Sequence, residues 1–228
     1  MNERDLMITP EELKSLWKGR YVENYPHEFF ALIQEIQKVN PLKTIIEVGV
    51  KCCGTLRVWE RLLPPEEGLL IEVDMTPKDQ LLGCSGHSTI PPYLEARPDP
   101  TWDWETCPSN FVSGGNCTEN LLDPEASERS IRFVIGDSNS LEVHDQIAYI
   151  LGDKQADMIF HDGGHFGDVP RRDFENIVLP FLRPGGLFVL ADFRTDGVDA
   201  LREHLATLGP VQVIQPDRAG FALWRKPT

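Results

Sequence analysis

The chain has no apolar run of the ~18 residues that a membrane-crossing helix needs. Its first stretch, Met1 to Thr9, is polar and acidic and holds no apolar core of the kind a secretion signal requires. The cysteines Cys52, Cys53, Cys84, Cys107 and Cys117 show no C-x-x-C spacing and are odd in number. With no export signal they are expected to be mostly reduced thiols in the cytoplasm, and a structural zinc finds little support. Positive charge is scarce: 22 basic residues face 36 acidic ones, for a formal net charge of −14. Polyanion binding depends on positive charge to displace counterions, so this balance argues against nucleic-acid or anionic-membrane partners. No basic stretch interleaved with aromatics offsets it. The G-x-G-x-x-G fingerprint is also missing, which sets aside a dinucleotide-dependent oxidoreductase. Internal repeats and low-complexity tracts are absent.

What remains is a globular chain. Apolar residues at 41% and charged residues at 25% are ordinary values, and 228 residues suit a single domain. The first forty residues read as a helical segment. Thr9-Pro10-Glu11-Glu12 supplies a hydroxyl cap, a proline at the first helical position and acids facing the positive helix end. A second helix starts near Pro26, with Phe29, Ile33, Ile36 and Val39 close to a 3.6-residue period, and Asn40-Pro41 ends it. From residue 41 the rhythm changes. Apolar runs at Thr44–Val48, Leu69–Val73, Ile131–Ile135, Met158–Phe160 and Leu187–Leu190 do not alternate with polar residues, as expected of strands buried on both faces of a parallel sheet. Helical stretches at Thr55–Leu63, Leu141–Leu151, Val169–Leu182 and Asp199–Leu208 separate most of them, which predicts a doubly wound α/β sheet. Val211–Ile214 and Phe221–Arg225 should pair as an antiparallel hairpin at its edge. Residues 76–129 break the pattern. They are rich in proline and hold Tyr93, Trp102, Trp104 and Phe111, and read as an insertion that packs on the domain and shapes a site.

Five constellations carry chemistry. In the first, a strand runs through Glu47-Val48-Gly49 into a turn and a helix opening at Gly54-Thr55. Small residues there let a ligand approach the backbone, and a carboxylate at that point attracts an ammonium or sulfonium group where it would repel a pyrophosphate. The bland alternative is a tight turn with a capping acid. In the second, Asp74 ends the next strand, well placed to accept two ribose hydroxyls, with Glu72 in reserve. In the third, Asp137-Ser138 follows the third strand and could meet an adenine ring, or simply cap the helix near Leu141. The fourth is His161-Asp162-Gly163-Gly164-His165. Asp162 lies just past the fourth strand, where doubly wound sheets bind ligands, and His165 is the side chain there suited to act as a base near neutral pH. His161, nearer the apolar run, reads as a satisfied buried imidazole. In the fifth, Arg183-Pro184-Gly185-Gly186 reads as a tight turn, and Asp192 ends the fifth strand on the edge that holds Asp162. Two carboxylates there could share a divalent cation; otherwise Asp192 caps the next helix or bonds a substrate.

Taken together, these residues resemble the class I S-adenosylmethionine-dependent methyltransferases. Within them the chain is similar to the small-molecule O-methyltransferase branch grouped with cephalosporin-hydroxylase-like and macrolide-sugar methyltransferases. The resemblance covers roughly Pro41 to Pro227 apart from the insertion. Its most specific part runs from Asp157 to Asp192, through the His-Asp-Gly-Gly-His segment, Arg172-Asp173-Phe174 and Leu179 to Gly186. It implies a Rossmann-like, doubly wound sheet of seven strands, mostly parallel with an antiparallel last strand, in residues 41–228. It implies S-adenosylmethionine held by Glu47, Gly49, Gly54, Thr55, Asp74, Asp137, Ser138 and Asp162, and methyl transfer to an oxygen of a small molecule. His165 would take the acceptor's proton, with Asp162 orienting it or, with Asp192, holding Mg2+. A protein that binds the cosubstrate or a protein partner without catalysis is the alternative. The N-terminal helices could cover the domain or meet a second subunit in a homo-oligomer.

Overall fold

The computed structural model describes residues 8–17, 26–39, 41–50, 55–75, 130–192, 195–214 and 220–228. Gly54, the insertion at 76–129 and all five cysteines lie outside the described residues. Helices α1 (Pro10–Trp17) and α2 (Pro26–Gln37) precede β1 (Thr44–Val48), α3 (Leu56–Leu62) and β2 (Leu69–Asp74). After the insertion come β3 (Ser130–Ile135), α4 (Leu141–Leu151) and β4 (Ala156–His161). Helix α5 then starts α-helical over Val169–Asp173, widens to a π-helix over Phe174–Val178 and closes over Leu179–Phe181. β5 (Leu182–Ala191), α6 (Asp196–Leu208), β6 (Val211–Ile214) and β7 (Phe221–Arg225) complete the chain.

Among the described residues the strands form one seven-stranded sheet in the order β3-β2-β1-β4-β5-β7-β6. β1 to β5 are parallel, and β7 runs antiparallel between β5 and β6. The expected terminal hairpin is present, and its returning strand is the one inserted beside β5. Two apolar layers sandwich the sheet. Ile45, Leu70, Met158, Phe160 and Val189 pack under α1 to α3, whereas Ile46, Ile71, Val134, Ile159 and Phe188 pack under α4 to α6. Strands covered on both faces explain the unalternating apolar runs.

The N-terminal helices belong to this sandwich. Thr9 Oγ1 accepts the Glu12 N–H at 3.1 Å, capping α1, and Glu12 in turn receives the Arg61 guanidinium of α3 at 2.6 Å. Phe29 of α2 is fully buried, stacking against Trp59 at 5.4 Å and meeting Phe160 and Phe221 edge-on. Buried Glu28 accepts the Gly220 N–H at 3.2 Å and so ties α2 to the start of β7. The segment 183–186 is no isolated turn. It continues β5, because Gly185 N–H bonds Lys226 O and Lys226 N–H bonds Gly186 O. No helix among the described residues is long and apolar enough to cross a membrane.

Candidate active site at the carboxyl edge of the sheet

The five parallel strands end on one edge, and the chain leaves β1 toward β2 on one side and returns as β4 on the other. That divergence is the switch point at which open α/β sheets bind ligands. Hydrogen bonds run one residue past the strands: Gly49 N–H to Val73 O at 2.9 Å, Asp162 N–H to Val48 O at 2.8 Å, and Gly136 N–H to Asp74 O at 2.9 Å. The tips of β1 and β4 come so close that a Cβ on Gly49 would lie 2.4 Å from the Asp162 carbonyl oxygen. Gly49 also has φ +87°, so both space and conformation demand glycine.

At this edge the structure gathers Asp162, His165 and Asp192. His165 Nδ1 lies 3.2 Å from Asp192 Oδ2, and Nε2 lies 3.5 Å from Asp162 Oδ1. The side chains of His165 and Asp162 are 16% and 18% exposed and that of Asp192 is 42%, so the group is sheltered but reachable. Asp192 stands at φ +55°, alone in this among the described non-glycine residues. Aspartate tolerates that region better than most side chains, and such strain concentrates at functional sites. The loop carrying His165 rests on the start of α6. A Cβ on Gly197 would lie 2.7 Å from the His165 carbonyl oxygen and 2.6 Å from that of Gly167.

One ligand atom from each of Asp162, His165 and Asp192 falls within 4.8 Å of the others. Two carboxylate oxygens and an imidazole nitrogen are a donor set that fits a divalent cation. The sequence paired Asp162 with Asp192 on chemical grounds and made His165 a base; the structure puts the imidazole between the two acids.

The candidate cofactor residues line up along the same edge. Asp74, at the tip of β2, accepts the Val50 N–H on Oδ2 at 2.8 Å and so holds the turn after β1. Asp137 is exposed in the turn after β3, and its Oδ1 accepts the Asn139 N–H at 2.9 Å. Ser138 Oγ faces Asn139 Nδ2 at 3.4 Å. Capping of α4 falls instead to Ser140, whose side chain accepts from Val143 N–H at 3.2 Å.

Glu47 stands apart. Expected to meet a cationic group at the strand end, it is 1% exposed, beneath α3 and one residue before the last of β1. Buried Thr55, at the start of α3, donates its hydroxyl to Glu47 Oε1 at 2.5 Å. Glu72 lies directly across in register on β2 and is fully buried. Burial is the main cause that pushes Glu47 up to about 8, and the Asp162 charge adds to it while the Thr55 bond opposes it. Glu72 is raised well above the usual carboxylate range by burial and by the charge of Glu47. The bond from Thr55 ties Glu47 to the start of α3.

Two features escaped the sequence reading. Gly197 falls two residues before the expected helical stretch Asp199–Leu208, whereas the structure makes it the second residue of α6. Asp173 was named only within the Arg172-Asp173-Phe174 segment, and its bond to Asn139 at 3.1 Å joins residues far apart in sequence. The available signal was an acid, Asp173, amid the apolar positions of a helix.

A family model described as a methyltransferase domain matches residues 46–193, well over half of the chain. No curated protein matches the sequence significantly. Among solved structures, the chain is similar to the MycE methyltransferase of the mycinamycin biosynthetic pathway in complex with Mg, S-adenosylhomocysteine (SAH) and mycinamycin VI. The TM-score is 0.56 at 18% identity over 98% of this chain and 55% of MycE, so the chain spans about half of that relative's length. A protein of Staphylococcus aureus provisionally assigned as a caffeoyl-CoA O-methyltransferase gives a TM-score of 0.55 at 13% identity, covering 98% of this chain and 95% of that one. A provisionally assigned ribosomal RNA methyltransferase of Plasmodium falciparum gives 0.50 at 12% identity, covering 88% and 94%. At these identities the likenesses establish a shared fold, which serves different acceptors. With the family model and the strand order in agreement, the chain belongs to the methyltransferase-domain family, on the class I S-adenosylmethionine-dependent fold.

Proposed function

We propose that the chain transfers a methyl group from S-adenosylmethionine to an oxygen of a small molecule. The observation that carries this reading is the His165 imidazole set between the carboxylates of Asp162 and Asp192 at the switch point of the sheet. Asp74 at the tip of β2 accepts the ribose hydroxyls, and the Asp137-Ser138 turn borders the adenine. Gly49 lets the tips of β1 and β4 close beneath the ligand, and Asp162 sets negative charge beside its cationic end. When bound, S-adenosylmethionine supplies a methyl group on a positively charged sulfur and leaves as a neutral thioether.

The chain's own work is to align the acceptor and remove its proton. The acceptor's O–H proton passes to His165, and the freed oxygen pair forms the new bond to carbon. Asp192 at Nδ1 and Asp162 near Nε2 stabilise the imidazolium that results. Alignment alone can supply roughly 7–11 kcal/mol, and a positioned base typically adds about 10²–10⁴-fold. Asp162 and Asp192 also suit a divalent cation, which would lower the acceptor's proton affinity as a Lewis acid.

A small acceptor fits the charge: at −14 the chain would repel an RNA backbone. The mycinamycin VI bound to MycE and the assignment of the Staphylococcus aureus protein point the same way. The test offers methyl-labelled S-adenosylmethionine with a panel of phenols, catechols, sugar hydroxyls and macrolides, with Mg2+ or with a chelator, and ribosomal RNA in parallel. Label in a small hydroxyl acceptor is expected. Label in RNA alone, or SAH binding without transfer across the panel, would overturn the reading.

A further inference from the structure

Behind the candidate site lies a buried polar junction that the chemistry above does not use. His161 ends β4 with no exposed surface, and its Nε2 sits 2.8 Å from Asp173 Oδ2. Asp173 is 1% exposed. Its other oxygen accepts from Asn139 Nδ2 at 3.1 Å. Asn139 belongs to the turn after β3: its backbone N–H bonds Asp137 Oδ1 at 2.9 Å, and its side-chain oxygen accepts from Asn176 Nδ2 at 3.4 Å. One carboxylate thus joins the tip of β4, helix α5 and the turn that carries Asp137 and Ser138.

A junction of this kind is a costly way to fill a core. Desolvating a carboxylate costs several kcal/mol, and apolar residues of similar volume often serve stability equally well. What a polar junction adds is direction, since each oxygen fixes one partner in one place. The partners here adjoin the working parts. His161 precedes Asp162 in the chain, and its ring stands edge-on to that of His165 with centroids 6.4 Å apart. Asn139 directly follows Asp137 and Ser138. Helix α5 turns π-helical at Phe174, immediately after Asp173, and such widened turns recur at functional sites.

We infer that Asp173 and Asn139 are positioning residues that lock the Asp137-Ser138 turn to the tip of β4 and so set the distance between the adenosine end of the cofactor and Asp162. This rests on the cofactor reading given above. Neither residue touches the reacting atoms. Their effect should therefore appear in cofactor affinity and not in the chemical step.

The experiment titrates SAH calorimetrically into the full wild-type chain, Asn139→Ala, Asp173→Asn and the double variant, with melting temperatures in parallel. Asn139→Ala removes the arm that reaches the turn and leaves the buried His161–Asp173 pair intact. It should bind SAH about tenfold more weakly, a loss of about 1.4 kcal/mol, while melting within a few degrees of wild type. The double variant should bind no worse than Asn139→Ala alone, because that change has already cut the link. If Asp173→Asn fails to fold, Asn139→Ala still decides. Wild-type affinity in Asn139→Ala, or losses that add in the double variant, would overturn the inference while wild type itself binds. A wild-type chain that takes up no SAH would overturn the cofactor reading and this inference with it.

Discussion

Two sets of acids lie near the carboxyl edge of one sheet, on or just past its central parallel strands, and behave in opposite ways. Asp74, Asp162 and Asp192 stand at the strand tips, partly open to solvent, where backbone N–H groups and His165 meet them. Glu47 and Glu72 point into the apolar layer beneath α3. Burial holds the inner pair protonated, with Glu47 pushed up to about 8. The lesson is positional. A carboxyl at a strand tip can serve a cationic or hydroxyl-bearing ligand, whereas one set back into the sheet becomes a neutral structural group.

The sharpest way to break that contrast is at the tips. His165→Ala should lower kcat by about 10²–10⁴-fold with little change in SAH affinity; steady-state kinetics with calorimetry would show it, and an unchanged kcat would remove His165 from the chemistry. Asp74→Ala comes next. Losing hydrogen bonds to a charged acceptor costs about 1.5–3 kcal/mol, so SAH should bind roughly 10- to 100-fold more weakly. Asp74→Glu should recover part of the loss. Third, Gly197→Ala places a methyl group against the His165 and Gly167 carbonyls. Overpacking of this sort costs about 1–3 kcal/mol, and here it should appear as slower turnover with SAH affinity retained.

A stability measurement, with no effect on ligand binding expected, sharpens the inner half of the comparison. Glu47 and Glu72 keep their protons in the folded state but release them on unfolding above their ordinary value of 4.5. Their contribution to stability is therefore complete below about pH 4.5 and is lost as pH rises from there through about 8, where Glu47 itself ionises. The slope is about 1.4 kcal/mol per pH unit for each proton retained. Glu72→Gln should flatten the fall in denaturant midpoint across that window. An unaltered slope would mean that the inner pair does not hold its protons.

Much of this was legible beforehand. The apolar runs located all seven strands, because a parallel sheet covered on both faces needs unbroken Ile, Val and Leu. The Thr9 cap and the Phe29–Ile36 stripe located the first two helices. β5 was read too short because Pro184-Gly185-Gly186 has the composition of a turn; the segment does bulge away from β4, with Gly185 at φ +73°, yet the backbone of Lys226 pairs it into the strand. The π-helical turn was hidden because a widened turn leaves the apolar spacing nearly unchanged. Asp162 and His165 could be named from one short segment. Asp192 was paired with Asp162 from the expected strand order; that His165 would stand between the two acids, and that Glu47 would face Glu72 in register, are facts of the sheet. A single strand's sequence does not hold them.

The contrast between tip and interior is tested most directly by calorimetric titration of SAH into wild type, Asp74→Ala and Glu47→Gln side by side. The account predicts one site per chain in wild type, a loss of at least tenfold in Asp74→Ala, and affinity within about threefold of wild type in Glu47→Gln, which keeps the neutral shape of a protonated carboxyl. The reverse order, with Glu47→Gln losing the ligand and Asp74→Ala keeping it, would contradict it.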